Sequence, residues 1–230
     1  MGSGLRAALD RGLLNIEENL LRMREMIDHA LTKSLKSLAD RDISLAQQVI
    51  DEDDHINAIR YKIEEDCLAL IATQQPTASD LRMIMAIMSV VVDLERMGDY
   101  AAGISKTVLR MGDEPLLKPL IDMPKMVELA RLMLREVIQA LLNHDVPHAR
   151  EIAERDDEMD DLYQAIFDEL VEIMAYKPES VHRATYLLWC AHNLERIGDR
   201  VTNIAERVVF VSTGDFKDLN VKEEGIGGVN

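Results

Sequence analysis

Basic side chains are in the minority: 26 Lys and Arg stand against 42 Asp and Glu, a formal net charge of −16. Binding a phosphate backbone needs a cationic surface that releases counterions, so this balance excludes nucleic acid as a partner. It argues equally against docking on anionic lipid. Aromatic residues are scarce, 4% of the chain. Only 11 glycines and 6 prolines interrupt 230 residues, which leaves long stretches free of turn signals. The two cysteines, Cys67 and Cys190, lie among apolar neighbours and read as small buried thiols, not as a disulfide framework. The longest apolar run, Met83 to Val92, is ten residues, well short of the roughly 20 that span a bilayer. With no signal-peptide layout at the start, the expectation is a soluble, cytoplasmic protein with no direct membrane insertion.

Catalytic signatures are missing too. Gly103-Ile104-Ser105-Lys106-Thr107 does not fit the phosphate-cradling loop frame, and no nucleophile elbow, Cys–His constellation or dinucleotide-binding glycine pattern occurs. The chain is therefore expected not to be an enzyme.

What is present is helical periodicity. Hydrophobic residues make up 47% of the chain and charged residues 30%, the mixture of long amphipathic helices. Leu13, Ile16, Leu20, Met23, Ile27, Leu31, Leu35 and Leu38 step by threes and fours, which predicts a first helix to about residue 39. A second is predicted over 43–73, a third to about 110, capped by Thr77 or Ser79, a fourth over 125–143, a fifth over 147–175 and a sixth over 179–212. No alternating, turn-bounded run reads as a strand. The fold class is all-α: two antiparallel three-helix bundles in tandem. The first occupies residues 5–110, a Gly- and Pro-marked linker 111–124, the second bundle 125–212, and a flexible tail 213–230.

The duplication is written in the sequence. Asp93-Leu94-Glu95-Arg96-Met97-Gly98-Asp99 returns 100 residues later as Asn193-Leu194-Glu195-Arg196-Ile197-Gly198-Asp199. Upstream, Asp53 and Asn57 return as Asp156 and Asp160. Each pair has i, i+4 spacing, which sets both side chains on one helix face. In an antiparallel hairpin, residues equidistant from the loop lie side by side. Asp53 with Asp99 and Asn57 with Glu95 both centre on Pro76, whereas Asp156 with Asp199 and Asp160 with Glu195 both centre between Lys177 and Pro178. Each hairpin is thus expected to gather four oxygen-bearing side chains at one level, beside the core or outside it, with Gly98 and Gly198 permitting close helix approach.

Two readings of these rows stand open. One is a solvated acidic face, since like charges at i, i+4 cost only about 0.2–0.5 kcal/mol on an exposed helix. The other is a hard-cation site for Mg, Mn, Ca or Fe, built from carboxylate and amide oxygens. Asn203, one turn beyond Asp199, extends the second row, whereas Gly103 stands at its counterpart, so the second site is expected to be the stronger. Glu52-x-x-His55 and Glu179-x-x-His182 match the string of ferritin-like di-metal centres, but neither is matched on a facing helix, and these histidines read as surface residues. Arg96 and Arg196 read as local ion-pair partners.

The doubled L-E-R-[MI]-G-D phrase, each copy preceded by a D-x-x-x-[ND] helix, resembles the PhoU family of phosphate-uptake regulators over about residues 8–211. The resemblance implies a non-enzymatic negative regulator of the phosphate-starvation response and of high-affinity phosphate uptake. It implies work at the inner face of the membrane, held there through contacts with the ATPase subunit of the phosphate transporter and with a sensor histidine kinase. Some members carry iron or zinc clusters on these rows. Carried over, the metal-ligating residues are Asp53, Asn57, Glu95, Asp99, Asp156, Asp160, Glu195, Asp199 and Asn203, with Fe, Zn, Mn, Mg or Ca bound and none required for the fold. Asn57 and Gly103 depart from the pattern and weaken the first site. A homodimer is expected. The alternative function is a carboxylate-rich metal-binding or storage protein.

Overall fold

A computed structural model describes residues 2–112, 114–215 and 219, with side chains from Arg6 onward. Among the described residues there is no strand, and no helix is long and apolar enough to cross a membrane. The all-α fold of six long helical rods stands as the periodicity predicts. They are α1 (Gly2–Asp40), α2 (Ile43–Gln74), α3 (Ala78–Met111), α4 (Asp122–Asn143), a fifth rod made of α5 (Val146–Glu154) and α6 (Asp156–Tyr176), and α7 (Val181–Thr213). A 3-10 turn, Pro178–Ser180, leads into α7. Most of the expected tail, and Asp113 of the linker, lie outside the described residues.

The helices end where local chemistry ends them. Asp42 caps α2 by accepting from the Leu45 amide at 2.9 Å, and Asp145 caps α5 by accepting from His148 at 3.1 Å. Each satisfies an amide that the first turn would otherwise leave orphaned. Thr77 is the N-cap of α3, and its hydroxyl donates to Asp80 Oδ2 at 2.7 Å instead of accepting from the helix. Arg41, Gln75 and His144 take left-handed backbone angles and turn the chain between rods.

The fifth rod differs from the continuous helix predicted over 147–175. It breaks at Arg155, whose Nη1 donates to Glu136 Oε2 at 2.6 Å. The break makes Asp156 the first residue of α6, followed by Asp157 and Glu158. Three acids in a first turn complement the positive end of the helix dipole.

Helix packing gives two layers. One is the row α2–α3–α7–α6, in which α3 and α7 form the most extensive pairing of the molecule. The other comprises α1 and α4, which touch each other and cover that row, with α5 against α4 and α7. The core is continuous through both bundles, from Ile16, Leu20 and Met23 of α1 through Leu94 and Met97 of α3 to Met133 of α4 and Ile197 of α7. Methionine and aliphatic side chains fill it, as a composition poor in aromatics requires. Both cysteines are buried and free, and burial pushes both thiols up to about 12.

Contacts across the α3–α7 seam involve equivalent positions of the two repeats. Asn203 Nδ2 donates to Asp93 Oδ1 at 3.2 Å. The equivalent pair is Asn193 with Gly103, and the Asn193 Oδ1 lies 3.0 Å from where a β-carbon on Gly103 would sit. Arg200 joins Asp93 at 3.3 Å, and Asp93 is raised above its ordinary value by burial.

Candidate metal-binding acidic rows

The loops do set the register that the sequence implies. In the first bundle the carboxyl of Asp53 is pushed up to about 6, chiefly by burial and then by the charges of Asp99 and Glu95, with Lys106 opposing. In the second, Asp156 is also pushed up to about 6, first by burial, then by Asp160, Asp199 and Glu195. Glu195 is raised in turn by burial, Asp199 and Asp160. Residues of α2 and α3, and of α6 and α7, thus feel each other across each hairpin.

Burial is deeper than a surface charge run would have. Asp156 is buried; Asp53, Asn57, Glu95, Asp99, Glu195 and Asp199 are half-buried, and Asp160 is exposed. The glycines explain the depth. A β-carbon on Gly98 would come 3.0 Å from Ile56 Cδ1 and 3.1 Å from Asp53 Oδ1. On Gly198 it would coincide with the space held by Asp156 Oδ1. Bare backbone in α3 and α7 lets a carboxylate of the neighbouring helix lie down against it. Asp156 is also held by a hydrogen bond from Thr202.

Asn203 also reaches across the seam. Its amide nitrogen donates to Asp93 of α3, which bridges the bundles, and its carbonyl oxygen is left to accept. Arg196 and Arg96 do pair locally: Arg196 with Asp199 at 2.8 Å, and Arg96 with Asp99 at 3.5 Å. Arg196 is further held by Tyr100 across the seam. His182 stacks edge-on to Tyr186, and Glu52 is taken by Lys33 at 2.7 Å.

Three side chains at the rows escape a reading of the repeated phrase alone. Arg60 donates to Glu95 Oε1 at 3.1 Å and to Glu64 Oε1 at 3.0 Å. At its counterpart in the second bundle stands Tyr163, in contact with His192 at a ring separation of 6.1 Å. His192 Nδ1 lies 3.2 Å from Glu195 Oε2. Extending the hairpin register one turn beyond Glu95 and Glu195 finds all three.

The donor set suits a cation. Carboxylate oxygens dominate it, they repel one another, and the buried Glu95 Oε2 and Glu195 Oε2 form no hydrogen bond. Each has only an ion-pair neighbour, Arg96 Nε at 3.7 Å from Glu95 Oε2 and His192 Nδ1 at 3.2 Å from Glu195 Oε2, and a buried oxygen short of hydrogen bonds is one that a positive ion would stabilise. Among the described residues no three His, Cys, Asp or Glu side chains converge closely enough to hold an ion as they stand. The rows are therefore grouped donors, and closing them around an ion takes side-chain rotation.

The fold and the rows define the class: a duplicated all-α bundle with one paired acidic row in each half. The PhoU domain matches residues 20–108 and again 123–208, and the chain belongs to the PhoU family. A Streptococcus pneumoniae protein described as a phosphate-specific transport system accessory protein PhoU homolog is 35% identical over 216 residues, 94% of this chain and 100% of that one. The Aquifex aeolicus homolog is 34% identical over 94% of this chain and 99% of its own. The crystal structure of the phosphate transport system regulatory protein PhoU from Streptococcus pneumoniae superposes with a TM-score of 0.85 at 34% identity, covering 91% of this chain and 99% of that chain. PhoU from Pseudomonas aeruginosa gives 0.84 at 31% identity, over 90% and 99%.

Proposed function

We propose that this chain regulates phosphate transport as a non-catalytic accessory of the transport system. It restrains high-affinity uptake and represses the phosphate-starvation response. The observation that carries the reading is that both halves match the PhoU domain and that the chain spans essentially the full length of relatives described as accessory proteins of phosphate-specific transport. In finer terms, it acts as an adaptor at the cytoplasmic face of the membrane, between the transporter's ATPase subunit and a sensor histidine kinase, and self-associates as a dimer. An acidic double bundle offers basic protein surfaces an electrostatically favourable partner.

The acidic rows are the second part of the proposal: Asp53, Asn57, Glu95 and Asp99 in the first bundle, and Asp156, Asp160, Glu195, Asp199 and Asn203 in the second, hold metal. Support comes from the elevation of Asp53, Asp156 and Glu195 by burial and neighbouring carboxylates, and from the buried oxygens of Glu95 and Glu195 that accept no hydrogen bond. A bound ion would supply charge neutralisation and cross-link each helix pair.

The test is a phosphate-starvation reporter in a host lacking this gene and any second copy, grown in phosphate-rich medium. The reporter is expected to switch on and to be silenced by the intact gene. A reporter that stays off removes the regulatory reading. Complementation with Glu195→Ala/Asp199→Ala shows whether the second row carries the output.

A further inference from the structure

More than half of the chain's few aromatic residues gather on one hairpin: Tyr163, Phe167 and Tyr176 of α6, with Tyr186 and Trp189 of α7. Tyr163, Phe167 and Val171 recur every four residues, a line about 12 Å long on one side of α6. The register centred between Lys177 and Pro178 sets Phe167 level with Leu188 of α7, and Tyr163 meets His192 in that same register at a ring separation of 6.1 Å. Trp189 is 45% exposed, and Phe167, Val171 and Val181 are 39%, 42% and 45% exposed. Large apolar side chains exposed singly need no explanation, but a contiguous strip shared by two helices marks a contact surface.

Packing of the hairpin does not require these rings, because the first bundle folds without them. At the positions of Tyr163 and Phe167 stand Arg60 and Glu64, joined at 3.0 Å, and Ser89 stands for Trp189. Only the aliphatic end of the strip is shared, with Leu68 for Val171 and Leu81 for Val181.

Charge selects the occupant. From Asp156 to Tyr176, α6 contains no Lys or Arg, and Asp161, Asp168 and Glu172 stand exposed on the solvent side of the strip. Among the described residues none of the three pairs with a base, and Asp168 accepts from Gln164 at 2.8 Å. A second copy would bring α6 against an equally acidic α6, and anionic lipid or nucleic acid would be repelled. A cationic helix meets no such penalty, and a third helix packs its ridges into the groove between two others.

We propose that the outer groove of the α6–α7 hairpin docks a basic amphipathic helix of another protein. Apolar side chains at i, i+4 spacing seat on Tyr163, Phe167 and Trp189, and flanking Lys or Arg reach Asp161, Asp168 and Glu172. This rests on the adaptor part of the proposed function and gives it a surface and a partner chemistry. The aromatic anchors supply most of the affinity, and the charges set orientation and rate.

Trp189 is the one tryptophan of the chain, so its emission reports on the strip directly. The full chain is titrated with a tryptophan-free synthetic helix of Leu, Lys and Ala whose leucines share one face. A peptide of the same composition in scrambled order and vesicles of zwitterionic phosphatidylcholine serve as comparisons. The amphipathic peptide is expected to give a saturable blue shift that weakens with salt, and the scrambled peptide and the vesicles none. Phe167→Ser and the double reversal Asp168→Lys/Glu172→Lys are each expected to weaken the peptide about tenfold or more. Leu68→Ser, on the corresponding hairpin of the first bundle, is expected to leave it unchanged. Circular dichroism checks that each variant is folded, and Val171→Ser replaces Phe167→Ser if the latter is not. No shift, an equal shift with the scrambled peptide, or one indifferent to the charge reversals overturns the inference. So does a shift with vesicles in place of the peptide, which assigns the strip to lipid. A dimer by light scattering that Phe167→Ser converts to monomer assigns it to a second copy and overturns the inference as well. Each of these failures leaves the regulatory reading standing, since the starvation reporter tests that separately.

Discussion

Asp156 lies directly over Gly198, with its Oδ1 in the space that a β-carbon on that residue would need. Gly198→Ala must therefore displace a buried carboxylate at the start of α6. Overpacking of this kind costs about 1–3 kcal/mol, against up to about 1 kcal/mol that Ala gains over Gly in a helix. A net loss of stability is expected in urea denaturation. Gly98→Ala meets the tip of Ile56 and the Asp53 carboxylate at 3.0–3.1 Å, both ends of rotatable side chains, and is expected to be close to neutral. Equal losses at the two glycines would contradict this difference.

The raised carboxyl of Asp156 makes stability depend on pH. Burial, then Asp160 and Asp199, move it from 3.8 to about 6 in the folded protein. Between those values the folded state holds the extra proton, so stability falls as pH rises. The contribution is fully present below the unfolded-chain value and is lost as pH passes through about 6. Asp156→Asn removes the charge. With chelator present, this variant is expected to be more stable than wild type by roughly 1–2 kcal/mol at pH 8, a gain that disappears by about pH 4. Thermal melts across that range provide the comparison.

Asp93 is the acceptor at the centre of the seam, for both Asn203 and Arg200. Asp93→Ala leaves a half-buried guanidinium and an amide without their partner, at an expected cost of about 1–3 kcal/mol. Asn203→Ala removes only one donor and should cost less. A double-mutant cycle on Asp93 and Asn203 is expected to show coupling of at least 0.5 kcal/mol, roughly the level that marks contact.

Cys67 and Cys190 are both buried with thiols pushed up to about 12, so almost no thiolate forms near neutral pH. Alkylation by iodoacetamide is expected to be negligible in the native protein and complete in denaturant. Rapid labelling of Cys190 in native buffer would contradict its placement in the core.

Much of this architecture was legible before any coordinates. The stepped leucines of α1 mark a buried stripe, and the two loop-centred sets of oxygen-bearing side chains fix both hairpin registers, because antiparallel pairing leaves no freedom once the loop is known. The break at Arg155 was not legible. No glycine or proline marks it, and it depends on Glu136 of another helix drawing Arg155 aside. The destination of Asn203 was hidden for a related reason: periodicity within one repeat says nothing about how two repeats face each other. Arg60 and His192 lie outside the repeated phrase because they are where the copies differ, and a search for sameness passes over them.

The long helices α3 and α7 bury their broadest faces on one another, and the core runs through both halves without a gap. The molecule is in effect a pair of subunits sewn together by ten or so residues of linker. Neither half has an independent interior to retreat to, so damage in one is felt in the other. Calorimetry should accordingly record one cooperative melting event, and a fragment ending near residue 112 should seek a second copy of itself to cover the side that α7 leaves bare.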